Sequence, residues 1–366
     1  MRFGRIEAYV LSRSLLSVGV ALAVITAVII LVQFVELSRS VGVRAEVSVA
    51  QLFGLTALGT PSLVLVLLPF IFLFGSMAAY VSLNRRSELV AMRAAGVSAW
   101  RFILPTAAAA AFVGVISVTL LNPLAAASNA RFGLERAQIM DNYLVDAPED
   151  IWLRQGDERS QIVIHAKDRE MVDGTVGLRG VSLFIYQKNE DGVPEFRRRL
   201  EAAEARLLPG FWRLTDVREA AAGESSVRSE SLSLRSSLDS ESALERFASP
   251  QAIAFWRLPA AIRTTEQAGF SASRYQLRFQ QLLATPLLFA AMTVLAAAFS
   301  LRLARLGGLA GLAGGGVALG FVFFFLNEFA GALANADIIP LVAAAWAPPL
   351  IALLSGLTLL CYTEDG

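Results

Sequence analysis

Lysine is almost missing from this chain: Lys167 and Lys188 are the only two among 366 residues. Both sit in a long polar middle stretch, and no GxxxxGK[ST] run occurs anywhere. Nucleotide binding through a phosphate loop and its lysine is therefore excluded. A single histidine, His165, excludes a histidine-rich metal site and is a weak candidate for a catalytic base. It falls in an alternating segment, where a hydrogen-bonded structural imidazole is expected. No GxSxG elbow and no HExxH pair is present, so neither serine nucleophile nor zinc-hydrolase chemistry is indicated. The lone Cys361 cannot form an internal disulfide. Net charge is +1 with no basic stripe, which argues against a nucleic-acid partner. The expectation is a chain without catalysis, metal or cofactor of its own; energy, if used, comes from a partner.

What the chain has in abundance is apolar length. It is 55% hydrophobic and 17% charged, with mean hydropathy +0.56, well above ordinary soluble domains. Six apolar runs, at 14–36, 62–83, 102–124, 276–300, 308–334 and 341–361, each exceed the ~20 helical residues that cross a bilayer core. They form two blocks of three around a charged insertion: 39 of the 63 Asp, Glu, Lys and Arg residues lie between Arg131 and Arg246. The first run is too long for a signal-peptide core and is read as a retained helix. Arginines mark one side. Arg2, Arg5 and Arg13 precede the first span; Arg85, Arg86, Arg93 and Arg101 link spans two and three; Arg302 and Arg305 link spans four and five. By the positive-inside rule both termini are cytoplasmic and the insertion lies outside. The reading is an α-helical polytopic membrane protein of 3 + 3 helices with an inserted all-β domain. Its parts are 1–125 (spans one to three), 126–248 (the β domain), 249–270 (a connecting helix) and 271–366 (spans four to six).

Seven short runs in the insertion alternate as strands do: 151–155, 161–166, 181–187, 195–200, 202–208, 211–217 and 227–234. Turn residues separate them at Gly156-Asp157, Asp173-Gly174, Glu190-Asp191-Gly192 and Pro209-Gly210. Close strand spacing without helical patterns predicts a sandwich or jellyroll. Ile162, Ile164, Leu183, Ile185 and Trp212 are its candidate interior lining, and a dry core and a lipid-accepting slot read alike at this stage. Beyond it, Ser249 and Pro250 are placed to start a helix that Gly269 ends.

The link between spans two and three reads Asn84-Arg85-Arg86-Ser87-Glu88-Leu89-Val90-Ala91-Met92-Arg93-Ala94-Ala95-Gly96-Val97-Ser98. Ser87 is placed to cap a short helix, Glu88 suits its positive end, and Gly96 is a natural stop. So short a helix is marginal alone and needs a surface to pack on. Leu89, Met92 and Gly96 share a face suited to a groove on another protein; a surface turn against the headgroups is the alternative. Within the spans, Asn327 and Glu328 are costly unless they face a cavity or partner. Gly307, Gly311 and Gly315, with Gly316 and Gly320, permit close helix contact. Pro69, Pro105 and Pro286 are expected kink positions.

The phrase RSELVAMRAAGVS at 86–98 resembles the coupling helix of the LptF/LptG permeases, membrane subunits of the lipopolysaccharide-exporting ABC transporter. Gln33-Phe34-Val35-Glu36, Gly269-Phe270-Ser271-Ala272-Ser273-Arg274-Tyr275-Gln276-Leu277 and Gly320-Phe321-Val322-Phe323-Phe324-Phe325-Leu326-Asn327-Glu328 resemble the LptG branch, and the likeness covers essentially the whole chain. It implies a Gram-negative inner-membrane permease subunit that extracts lipopolysaccharide and passes it to a periplasmic bridge, its β domain being a periplasmic jellyroll. Implied partners are LptF, an LptB ATPase dimer that binds ATP and Mg, and the single-span LptC. The resemblance assigns ATPase coupling to Ser87, Glu88, Leu89, Met92, Arg93 and Gly96. It assigns the cavity and its gates to Val28–Arg39 and Phe321–Leu333, with Gln33, Phe34, Arg39, Arg44, Phe321, Phe325 and Glu328 as substrate contacts. Gln33 stands where the branch often has lysine; Arg39 and Arg44, further out, carry guanidinium forks suited to phosphate. The alternatives are the LptF branch, or a membrane-anchored mechanotransmission or receptor protein.

Overall fold

The structure, a computed structural model, describes residues 4–42, 47–141, 151–156, 160–172, 175–188, 194–208, 210–221, 226–236, 253–267, 271–303 and 309–364. Helices come first: α1 (Arg5–Leu37), which runs into a π-helical turn at Ser38–Gly42; α2 (Val49–Arg85); a short α3 (Glu88–Ala94); and α4 (Ala99–Ile116). A π turn at Ser117–Leu121 joins α4 to α5 (Asn122–Asp141). Six strands follow, then a 3₁₀ turn at Phe255–Arg257, α6 (Leu258–Gln267), α7 (Ser273–Leu303), α8 (Leu309–Asn335) and α9 (Leu341–Glu364). Six of these helical stretches are long and apolar enough to cross a membrane.

Local chemistry explains the helix limits. The Gly4 N–H donates to Glu7 Oε2 at 2.6 Å at the start of α1. Ser48 and Gln51 form a reciprocal capping box on α2. That box starts α2 well before the apolar run at 62, giving a helix of 37 residues. At 1.5 Å per residue it is roughly 55 Å long, well beyond a ~30 Å hydrocarbon core. The third span likewise continues as helix to Asp141.

Two compact units are present. One comprises Met1–Tyr143, Ala254–Leu258 and Ser273–Gly366; the other comprises Leu144–Ile253 and Pro259–Ala272. In the first, α2 lies between α1 and α8 and also packs on α7, while α7 contacts α4 and α9. Phe72 of α2 stacks on Phe289 of α7 with centroids 4.7 Å apart. Helices touch closely where side chains vanish. A Cβ at Gly75 would lie 2.6 Å from Val18 Cα, and one at Gly114 would lie 2.6 Å from Pro286 Cα. Gly316 and Gly320 receive Met77, Phe70 and Phe74 of α2, so at these two glycines the close packing occurs within the chain.

The inserted domain is all-β, as expected. Its six strands are longer than the seven runs suggested: β1 (Ile151–Gly156), β2 (Ser160–Val172), β3 (Thr175–Lys188), β4 (Pro194–Leu208), β5 (Phe211–Ala221) and β6 (Val227–Arg235). The runs 195–200 and 202–208 are one strand. The described strands form one antiparallel sheet in chain order. Pairing reaches Val172–Thr175 and Leu208–Phe211; the expected turn residues Asp173, Gly174 and Pro209 lie outside the described residues.

Each ladder from β2 to β6 skips a position, and the skipped residues, Lys167, Gly180, Ala203, Asp216 and Glu230, form a row between paired neighbours on either side. Gly180 and Asp216 on it take left-handed φ values of 59° and 52°. Along the strands the buried parity changes at this row: Leu178 gives way to Val181, Ala202 to Ala205, and Leu214 to Val217. Residues from both sides belong to one apolar cluster built only of sheet residues. The sheet therefore turns a corner at the row and covers its own apolar face, giving a sandwich-like core from a single sheet.

Candidate functional site

The link between spans two and three folds as the sequence implies, but its faces differ. Only Arg86 and Ser87 separate α2 from α3, and Ser87 adopts φ 60° there. Ser87 occupies the capping position, yet its side chain makes no capping hydrogen bond. Gly96, at φ 80°, ends the helix: its N–H donates to Arg93 O at 2.9 Å, and that of Val97 donates to Met92 O at 3.1 Å. This paired 6→1 and 5→2 arrangement requires the left-handed residue that glycine supplies.

Leu89 is 1% exposed and packs with Tyr80, Leu83, Phe102 and Ile103; Met92 and Val97 pack against the same cluster. Leu89 and Met92 thus hold α3 to its own bundle, correcting the expectation that they form the outward docking face. A seven-residue helix cannot stand alone, and its largest apolar groups are consumed in anchoring it. The outward face is instead Ser87, Val90 (59% exposed), Ala91, Ala94, Ala95 and Gly96. Its 87–90–91–94 spacing was readable once Leu89 was assigned inward. Glu88 and Arg93 are half-buried at the border between the two faces.

At the opposite ends of the spans, the substrate candidates divide. Gln33 turns toward α2, where its Oε1 accepts from Thr60 Oγ1 at 3.1 Å and its amide fills the space beside Gly59. Phe34 packs against Leu37, Leu52 and Leu55. Both are tied to neighbouring helices of this chain. Arg39, in contrast, is exposed in the π turn that ends α1. Phe321 and Phe325 are exposed on α8 (68% and 62%), and Phe325 stacks on Phe329 at 6.1 Å. Glu328 is exposed beside them in the chain, and Asn327 is half-buried. Arg44 and the Gly269-Phe270 pair lie outside the described residues, as do Ser249, Pro250, Arg305 and Gly307.

α1 and α8 are the least covered of the six spans. Val20, Val24, Val28, Leu31, Val32 and Val35 leave an apolar surface along α1. Along α8 the uncovered surface is aromatic, from Phe321 through Phe324 and Phe325 to Phe329. Tyr80 and Thr106 pair inside the bundle: the Tyr80 hydroxyl bonds Thr106 Oγ1 at 2.6 Å, and Thr106 donates to Ile103 O at 2.7 Å.

All five candidate lining residues of the β domain lie on the same side of the bent sheet. Ile162, Ile164, Leu183, Ile185 and Trp212 are 0–8% exposed within one core. His165 lies on the other side of β2, half-buried and opposite Ser182. Outside the core, Arg198 pairs with Glu219 at 2.7 Å and Arg199 with Glu201 at 2.6 Å. Among the described residues, no group of three His, Cys, Asp or Glu side chains is arranged to hold a metal ion.

Comparison with known proteins gives these surfaces a context. A family model described as "Lipopolysaccharide export system permease LptF/LptG" matches residues 8–362. Two curated relatives, both called "Lipopolysaccharide export system permease protein LptG", come from Escherichia coli K12 and from Escherichia coli O6:H1 strain CFT073. Each is 25% identical over 316 residues, covering 83% of this chain and 84% of the relative.

Proposed function

The chain belongs to the LptF/LptG family of lipopolysaccharide export permeases, and from that premise we propose that it is the LptG-type subunit of the exporter. It is a multi-pass inner-membrane permease component of an ABC transporter whose substrate is lipopolysaccharide, not the catalytic subunit. In this reading an LptF-type chain completes the cavity, and an LptB dimer supplies ATP hydrolysis with its own ATP and Mg. LptC receives the lipid for the periplasmic bridge. The arginine-rich ends and both termini are cytoplasmic, and the β domain is periplasmic.

The observation that carries this reading is the uncovered state of α1 and α8. Two long apolar faces, one aromatic, are left for acyl chains and for the companion subunit. Arg39 stands exposed at the end of α1, where a guanidinium suits a lipid phosphate. Closure of the ATPase dimer acts on α3, whose outward face of Val90, Ala91 and Ala94 suits close docking. Glu88 at the margin of that face carries the polar coupling contact, and the cavity narrows as the link moves.

Photocrosslinkers placed at Arg39 and Phe325 in the assembled exporter test the proposal. Lipopolysaccharide adducts are expected at both positions, declining during ATP turnover; absence of adducts in every nucleotide state rejects it. Glu88→Ala is expected to separate hydrolysis from lipid release, and undiminished export in reconstituted vesicles removes that residue from the coupling role. The family model spans both branches, so an LptF-type role is the second reading. Lipid adducts strongest at Ile164 and Leu183 of the β domain favour it. Family membership displaces the receptor alternative.

A further inference from the structure

A cleft at the arginine-rich end of the first bundle shares only Glu88 with the transport reading and does not depend on it. It opens between α1 and α2 and is closed at one end by the first residue of α3. Tyr9, Arg13 and Ser17 recur every fourth residue along α1, and Ser82 of α2 and Arg86, just past its end, line the facing side. Glu88 completes the lining. The cavity volume is about 50 Å³, well below that of ordinary small-molecule sites, so the cleft takes a phosphate group and not a nucleotide.

The charge is lopsided: two guanidiniums face one carboxylate, and no ion pair joins Arg13 or Arg86 to Glu88. Arg13 is half-buried with its guanidinium 5.5 Å above the Tyr9 ring, which orients the fork without neutralising it. The two serine hydroxyls add donors that accompany phosphate oxygens well. Next to the cleft on α1, Leu16, Val20 and Val24 follow at helical spacing and are all exposed. A molecule with a phosphate in the cleft therefore finds an apolar track for a hydrocarbon tail directly beside it.

We propose that this cleft binds the phosphate of an anionic phospholipid, with Arg13 and Arg86 on the phosphate oxygens and the acyl chains along Leu16, Val20 and Val24. The recognised chemistry is a phosphate mono-anion. The continuous tail track favours the lipid over a soluble source. Glu88 works against binding, so the site reports on the charge state at the start of α3.

Native mass spectrometry of the purified full chain in neutral detergent, titrated with phosphatidylglycerol and phosphatidylcholine, tests this. Phosphatidylglycerol should bind at least about tenfold more tightly. Near a membrane surface each arginine contributes enough that Arg13→Gln with Arg86→Gln should weaken it roughly thirtyfold. Glu88→Gln should strengthen it by about fivefold, a gain that general structural damage does not produce. If the double glutamine variant does not fold, Arg13→Lys with Arg86→Lys serves instead and should keep the preference for phosphatidylglycerol. Equal retention of both lipids, or wild-type affinity in the glutamine variant, overturns the proposal. Displacement of phosphatidylglycerol by millimolar inorganic phosphate overturns the lipid assignment in favour of a soluble anion.

Discussion

At Gly75 the α1 and α2 backbones meet so closely that even one added carbon would touch Val18 Cα at 2.6 Å. Gly75→Leu should therefore cost about 3 kcal/mol, because backbone rather than a flexible side chain must yield. A thermal melt of the purified chain in detergent reads this, and an unchanged midpoint contradicts the close contact. Asp216 offers a test of sign. Arg228 donates to its carboxylate at 2.8 Å and holds it below the usual aspartate range. A lowered folded pKa means that the interaction contributes fully above the unfolded value of about 4 and is lost as pH falls through the lower folded value. The stability gap between wild type and Asp216→Asn should stay level from about pH 8 to about pH 5 and close only below about pH 4. A gap that closes near neutrality assigns it to another group. Neither residue stood out in the sequence. A lone glycine in an apolar run has no mark of what it faces, and Asp216 reads as an ordinary strand residue until its left-handed φ is seen.

Among the elements, α3 shows where helical spacing informs and where it misleads. Its existence and its stop at Gly96 were legible from Glu88 and Gly96 and the short apolar run between them, although at seven residues it is shorter than the eight or nine expected. The direction it faces was not, because Leu89 and Val90 are equally apolar and only the packing of Tyr80 and Phe102 distinguishes them. Leu89→Ala should destabilise the bundle by about 2–5 kcal/mol. Val90→Glu should leave the melting temperature nearly unchanged while reducing co-purification of the ATPase. If instead Val90→Glu unfolds the chain and Leu89→Ala does not, the face assignment is reversed. The β domain repeats the lesson. Alternation identified its buried side correctly at Ile162, Ile164, Leu183, Ile185 and Trp212. The corner was hidden because the alternating runs break between Leu200 and Ala202, where parity is kept, and not at Ala203, where it changes.

For the whole molecule, the six-span layout follows from how cleanly apolar length and charge separate along the chain, and the inserted β domain from alternation and turn residues. What composition leaves open is which spans stay uncovered, because α1 and α2 have similar hydrophobicity and differ in what surrounds them. Replacing Phe321 and Phe325 together by serine should shift the melting temperature by no more than a few degrees, as both rings are exposed. The same change should lower the lipopolysaccharide retained by the assembled exporter. Equal retention removes the aromatic face from lipid contact. The reach of α2 has a mechanical consequence. From Val49 to Arg85 it is one helix that continues through Pro61 and Pro69, and two residues tie its arginine-rich end to α3. A stiff member roughly 55 Å long acts as a lever arm. Pivoted near its arginine-rich end, a tilt of about 5° displaces the far tip by about 5 Å, so a shift of about half an ångström at Ser87 arrives at Ser48 as a movement as wide as a strand spacing.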